Sequence, residues 1–193
     1  KLGIKSVNRQ KKCIIFGKGT EGYKYKKNLK INAENSGTLG RLILGLLINA
    51  TYPIKLIGDK SLSKRDFSRV SEPLSKFGAK FELTKKKYLP LFIYGSSNLK
   101  PIKFFEKKGS AQCKSSIIFG GIKTEGTTII KAKKSRNHTE LLCRYLNLPI
   151  TIKRKKKHDE IKIKKAKVIK PLNYYIPSDL ISSTFFFILT TIS

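Results

Sequence analysis

The chain has no methionine and no tryptophan, and only 12 acidic side chains stand against 42 lysines and arginines. Met is missing even from position 1, so Lys1 is not expected to be the native start. The other end is as abrupt. Phe185-Phe186-Phe187-Ile188-Leu189 reads as a buried helix, and the chain stops at Ser193 with no cap, Gly or Pro to end it. Both ends are read as cuts through a longer protein. Cysteine is scarce as well. Cys13, Cys113 and Cys143 are odd in number and far apart, with no CxxC pair, which excludes a disulfide framework or a zinc site and fits a reducing compartment. Long apolar runs are also lacking: the longest, Leu42 to Ala50, is too short to span a bilayer.

The shortage of acid leaves a formal charge of +30. Such an excess commonly points to nucleic acid or an anionic membrane. The bases are of one kind, however: 35 are Lys and only seven are Arg, at 9, 41, 65, 69, 136, 144 and 154. The lysines are spread along the chain beside many Ile, Asn and Phe, the composition an A- and T-rich coding sequence produces without a polyanionic partner. What is present supports a core: hydrophobic residues make up 39%, with 11 Phe and 8 Tyr.

An internal period of about 70 residues organises the chain. Ser36-Gly37-Thr38-Leu39-Gly40-Arg41, Ser110-Ala111-Gln112-Cys113-Lys114-Ser115 and Ser178-Asp179-Leu180-Ile181-Ser182-Ser183 each open a strongly apolar helix. Gly37 and Ser110 are 73 apart, and Ser110 and Asp179 are 69 apart. A second helix follows in the first two units, over residues 66–77 with Phe67, Val70, Leu74 and Phe77, and over 137–146 with Leu141, Leu142, Tyr145 and Leu146. Strand pairs then follow: 79–83 with 91–94, and 149–152 with 161–163. The pair 3–7 and 13–16 opens the chain. The expected fold is α/β, built of repeated β-α-β-α-β-β units. Residues 1–176 are read as most of one domain, holding the tail of one unit and two complete ones. Residues 177–193 are read as the start of a further unit or a second domain.

Five segments then resemble one family in order. Asn32-Ala33-Glu34-Asn35-Ser36-Gly37-Thr38-Leu39-Gly40-Arg41 is similar to the Asn-Ala-Gly-Asn-Ser-Gly-Thr-Thr-x-Arg signature of EPSP synthases. Gly58-Asp59-Lys60-Ser61-Leu62-Ser63-Lys64-Arg65 resembles their Gly-Asp-x-Ser-Leu-x-x-Arg segment. Residues 95–102 followed by 110–115 resemble the central repeat, and 134–140 resembles Lys-Ser-Arg-Asp-His-Thr-Glu. Pro177-Ser178-Asp179 with 182–186 resembles Pro-Gly-Asp-x-Ser-Ser-Ala-x-Phe. The departures are Glu34 for Gly, Asn137 for Asp and Ser178 for Gly.

The resemblance implies two domains of three such units, and transfer of the enolpyruvyl group from phosphoenolpyruvate to the 5-hydroxyl of shikimate 3-phosphate. It implies phosphoenolpyruvate contacts at Gly37, Arg65 and Gln112, and shikimate 3-phosphate contacts at Ser110, Ala111, Gln112 and Ser135. Arg41 and His138 are further candidates, with Arg41 also read as a brace for the helix start. Asp179 reads as an N-cap. These residue types suit dense anions: helix N-termini supply N–H groups and a positive dipole end, and Arg grips an oxyanion with two parallel bonds. The proton-transfer Asp and Glu of the family belong to its other domain, so no catalytic residue is expected here and the piece is not expected to turn over alone. No metal or cofactor is implied. The expected partners are small anionic substrates, not nucleic acid or membrane, in a bacterial cytoplasmic enzyme that is monomeric when complete. The competing readings are a UDP-N-acetylglucosamine enolpyruvyl transferase, whose relatives often use a Cys in a mobile loop, and a Lys-rich nucleic-acid-binding protein.

Overall fold

A computed structural model describes residues 2–10, 12–19, 23–177 and 180–192. A hairpin of β1 (Lys5–Arg9) and β2 (Lys12–Phe16) comes first. The first full unit is β3 (Leu29–Asn32), α1 (Gly37–Leu46), β4 (Ile54–Ile57), α2 (Ser68–Ser75), β5 (Lys80–Thr84) and β6 (Tyr88–Tyr94). The second is β7 (Lys103–Glu106), α3 (Ala111–Gly121), β8 (Thr127–Lys133), α4 (His138–Tyr145), β9 (Ile150–Arg154) and β10 (His158–Lys164). A last helix, α5, spans Leu180–Ile192. The units share one topology: sheet orders β3-β4-β6-β5 and β7-β8-β10-β9, with the first two strands parallel and the rest antiparallel. This is the repeated β-α-β-α-β-β architecture expected from the sequence.

Alternation makes the strands. In β10, Ile161 and Ile163 are buried while Lys162 and Lys164 face outward. Ile161 stands between Ile130 on β8 and Ile152 on β9 in register, so one apolar row crosses three strands. The two long helices start for the same local reason. Ser36 Oγ accepts the Leu39 N–H at 3.1 Å, and Ser110 Oγ accepts the Cys113 N–H at 3.2 Å, each satisfying an N–H that the first turn leaves unpaired. Their apolar bodies, with the residues that follow α1, then join one core with both sheets, including Leu44, Leu47, Ile48, Ile117 and Ile118 at full burial.

Helices α1 and α3 come very near each other in that core. A Cβ built at Gly45 would lie 2.0 Å from the carbonyl oxygen of Ser116, so only a residue without a side chain lets the backbones come this near. Ser116 Oγ also donates to the Arg41 carbonyl at 2.9 Å. At the far end, Lys123 Nζ donates to the Leu46 carbonyl at 2.7 Å, covering the negative end of α1.

Several expectations are corrected. Leu62–Lys64 form a short 3-10 turn, so Arg65 follows a turn and α2 begins only at Ser68. The buried side of α4 is Glu140 and Cys143, whereas Leu141, Leu142 and Tyr145 are exposed. The reason is that α4 meets α3 through polar bonds: Lys114–Glu140 at 2.6 Å and Ser115–Thr139 at 2.8 Å. The terminal helix forms, but it is not buried: Phe186 is 70% exposed and Leu189 59%. Helices α1 and α3 are covered by their own sheets and by each other, and α5 has no sheet of its own among the described residues. The Ser178 and Asp179 readings lie outside the described residues.

Gly45→Ala forces a methyl group against backbone, and overpacking of this kind costs about 1–3 kcal/mol or more. A loss near about 3 kcal/mol is expected in urea denaturation. Gly17→Ala, where a Cβ meets nothing within 4 Å, is expected to change stability by less than about 0.5 kcal/mol.

Candidate functional site

The α1–α3 contact sets the starts of both helices side by side, and one side chain bridges them. Gln112, in the first turn of α3, accepts from Arg41 Nη1 at 2.6 Å and donates from Nε2 to Thr38 Oγ1 at 2.9 Å. Gly37, the first residue of α1, is buried, and a Cβ there would lie 3.1 Å from Arg65 Nη1 and 3.5 Å from Arg41 Nη1. Two guanidinium groups therefore flank a helix start that has no side chain of its own. Helix geometry gives the N–H groups of Gly37 and Thr38 no intrahelical acceptor. Donors and cations converge here, an arrangement that fits an anion with several oxygens.

Asp59 lies within the field of Arg65, and Asp66 within that of Arg69 and Arg41, but no ion pair to these guanidinium groups is formed among the described residues. Burial, then the neighbouring guanidiniums of Arg69 and Arg65, hold Arg41 below the ordinary guanidinium range, with Asp66 and Cys113 opposing them. Arg41 remains a cation at neutral pH, stacked 5.5 Å from the Phe67 ring centroid, and its buried Nε has no hydrogen-bond partner. Three cations crowd one place and favour an incoming anion. Arg65 Nη2 donates to Asn35 Oδ1 at 3.2 Å, and Asn35 Nδ2 donates to Asp59 Oδ2 at 2.6 Å. Asp59 lies below the ordinary 3.8 because the Leu62 N–H donates to it, helped by Asn35 and Ser61. Asp66 is raised by burial but lowered more by the Ser68 hydroxyl and N–H, and ends below 3.8. An open cleft lined by Asp59, Lys60, Ser61, Lys64 and Arg65 adjoins the site.

Ser110 and Ala111 stand half-buried beside Gln112 at the start of α3. Ser110 Oγ is occupied as an acceptor, yet its proton remains to donate. The loop before it is shaped by the buried Glu106 carboxylate, which accepts the N–H groups of Lys108 at 3.1 Å and Ser110 at 3.0 Å. Ser135 lies in the β8–α4 loop, its Oγ buried without a hydrogen-bond partner. That loop is tied to α3 by Lys114 Nζ, which donates to the Arg136 carbonyl at 3.0 Å while paired with Glu140.

The structure thus brings Gly37, Arg41, Arg65 and Gln112 into direct contact or near-contact, with Ser110 and Ala111 adjoining. Ser135 belongs to a neighbouring loop held to the same helix. His138 is exposed at the first turn of α4, and no described hydrogen bond joins it to the group. Glu34 is exposed and sits at φ +49°, a conformation that glycine holds without strain. Sequence reasoning missed Thr38, Asn35, Asp59, Arg69 and Lys114. Asn35 and Asp59 stood inside quoted motifs, and Lys114 was the one cation set before the apolar run of α3; those were the available signals. Cys113 does not resemble a loop nucleophile. Its thiol donates to the Arg69 carbonyl at 3.1 Å, and burial, with Glu106, pushes it up to about 12 against the pull of Arg69, Arg41 and Lys108.

Comparison with known proteins identifies the family of the chain. The family model described as EPSP synthase (3-phosphoshikimate 1-carboxyvinyltransferase) matches residues 1–193. The 3-phosphoshikimate 1-carboxyvinyltransferase of Leuconostoc mesenteroides is 36% identical over 188 residues, covering 97% of this chain and 42% of that relative. That of Caldicellulosiruptor bescii is 40% identical over 186 residues, covering 95% and 42%. A solved EPSP synthase from Acinetobacter baumannii superposes with a TM-score of 0.83 at 31% identity, covering 96% of this chain and 41% of that one. The chain therefore spans about 42% of the length of these curated relatives.

Cys113 and Cys143 are buried, and Cys143 is pushed by burial up to about 11, whereas Cys13 is exposed. A thiol reagent at pH 8 is therefore expected to modify one cysteine in the folded chain and three in denaturant; rapid labelling of Cys113 in the native state would contradict the geometry. Asp59 and Asp66 ionise more readily folded than unfolded, so their stabilisation is full above the ordinary 3.8 and is lost as pH falls through their lower folded values. The melting temperature is expected to hold between about pH 7 and 5 and to fall below about pH 4, less steeply in Asp66→Asn.

Proposed function

The chain belongs to the EPSP synthase family, and we propose that it supplies the substrate-gripping part of an enzyme that transfers the enolpyruvyl group of phosphoenolpyruvate to the 5-hydroxyl of shikimate 3-phosphate. The observation that carries the reading is the single bonded set of Gln112, Arg41 and Thr38, with Arg65 over Gly37, at two adjacent helix starts.

Both substrates are phosphates and one is also an enol carboxylate. The 5-hydroxyl gives up its proton as its oxygen adds to the phosphate-bearing carbon of the enol double bond, while the terminal carbon takes a proton. The phosphate then leaves as that carbon gives a proton back and the double bond reforms. Negative charge gathers on the bridging oxygen as phosphate departs. Donors already in place stabilise that charge without having to reorganise. In this reading Gly37 admits the anion to the α1 N-terminus, and Arg65 binds it through two N–H groups. Gln112 lies between the two substrates. Ser110, Ala111 and Ser135 hold the shikimate phosphate through a hydroxyl proton, a backbone N–H and the unpartnered Ser135 Oγ. Arg41 is assigned as a brace for Gln112 and a source of field, and His138 as a contact at the rim.

The proton-transfer carboxylates are assigned to the second domain of the family, so the 193-residue chain supplied alone is expected to bind but not to turn over. Residues 1–176 are taken as most of one domain and 177–193 as the start of a further unit. The complete enzyme is placed in the bacterial cytoplasm as a monomer. A cysteine-loop enolpyruvyl transferase is disfavoured by the buried, helical position of Cys113.

Calorimetric titration of the chain with shikimate 3-phosphate tests the proposal. Saturable one-to-one binding is expected, weakened about 10- to 150-fold by Ser110→Ala or Gln112→Ala, the worth of one hydrogen bond to a charged group, about 1.5–3 kcal/mol. Absence of binding, or equal binding to any phosphorylated polymer that vanishes with salt, would overturn it.

A further inference from the structure

Arg65 has to present its guanidinium beside Gly37, yet it is exposed and follows a three-residue turn. A long exposed side chain loses rotamer entropy on being fixed, so something must hold it. The side chains around it form a line of fixed polarity. Asp59 is anchored first: its N–H donates to the Glu34 carbonyl at 2.8 Å, and its Oδ1 accepts the Leu62 N–H at 2.6 Å. Its other oxygen, Oδ2, takes Asn35 Nδ2 at 2.6 Å. A carboxylate only accepts, so the Asn35 amide is forced to turn its NH2 toward Asp59 and its oxygen toward Arg65. Arg65 only donates, and its Nη2 meets that oxygen at 3.2 Å.

We propose that Asp59 is a positioning residue, which sets the orientation of the Asn35 amide and through it holds the Arg65 guanidinium over Gly37. The importance of that placement for phosphoenolpyruvate rests on the function proposed above; the placement itself does not.

The sign of the effect separates this from plain electrostatics. Asp59→Asn removes a negative charge beside an anion site, and charge alone would tighten anion binding. The relay requires the reverse. The new amide keeps its oxygen for the Leu62 N–H and turns its NH2 toward Asn35. The Asn35 amide must then flip and present NH2 to Arg65, donor against donor. The reciprocal pair Asp59→Asn with Asn35→Asp restores the polarity: the amide at 59 donates to a carboxylate at 35, and that carboxylate accepts from Arg65. Net charge returns to that of the parent chain.

The test uses the whole chain and two readouts. The first is the 15N relaxation of the Arg65 Nε–H signal, assigned by its loss in Arg65→Lys, with no ligand present. The second is titration with phosphoenolpyruvate together with shikimate 3-phosphate. The parent is expected to show an ordered Arg65 Nε. Asp59→Asn, and Asn35→Ala, which leaves the Leu62 cap intact, should both show a mobile one. The reciprocal pair should be ordered again. Phosphoenolpyruvate affinity should fall about tenfold in each single variant, the scale of one charge-assisted hydrogen bond, and return to within about threefold in the pair. An Arg65 Nε that stays ordered in both single variants, tighter binding by Asp59→Asn, or failure of the pair to restore order would overturn the inference. If the parent binds no phosphoenolpyruvate, the proposed function fails on that arm, and the Arg65 signal still decides the relay.

Discussion

One backbone contact governs the rest of this structure: α1 lies on α3 so closely at Gly45 that no side chain fits there. Helices of ordinary composition keep their axes about 8–10 Å apart. Here the near approach lets short polar side chains span the gap. Ser116 reaches the Arg41 carbonyl and Gln112 reaches both Arg41 and Thr38. Each bond is worth only about 1 kcal/mol on its own. Together they fix the rotation of one helix against the other, so that both N-termini open on the same side.

That alignment explains why the cations gather where they do. Arg41 belongs to α1, Arg65 follows the turn after β4, and Arg69 lies in α2, yet Arg65 and Arg69 are both near enough to act on Arg41. Their repulsion of Arg41 opposes folding, and in the proposed function a bound anion relieves it. A site assembled this way holds back stability that its ligand restores. The second unit uses a different device. Lys114 and Glu140 are buried almost completely, and Lys114 also holds the Arg136 carbonyl. A buried ion pair adds little net stability, but breaking it by removing one partner costs about 3–5 kcal/mol. Its clear structural effect is to fix the loop that carries Ser135 against the helix that carries Ser110.

The order of elements was legible because its signals are local. Ile and Lys alternate along β10, and Ser36 and Ser110 mark helix starts by their own hydroxyls. Gly37, Arg41, Arg65 and Gln112 were legible as motif residues, and the structure brings them together. What was not legible depends on partners distant in sequence. The leucines of α4 follow helical spacing yet face solvent, because the neighbouring surface of α3 offers Lys114 and Ser115 rather than an apolar groove. The aromatic run of α5 reads as core and is exposed, since core is a property of what covers a helix. Asp59 looked like a motif letter until its two oxygens were seen to serve different donors.

In the proposed function the two helix starts act as one anion site. The most direct test is an amide-resolved NMR titration of the chain with shikimate 3-phosphate at physiological salt. Amides 36–38 and 110–112 are expected to shift together along one binding curve, with Ser135 following and the lysine-rich strands β9 and β10 unmoved. Shifts spread over those strands, or confined to one helix start with the other silent, would contradict it.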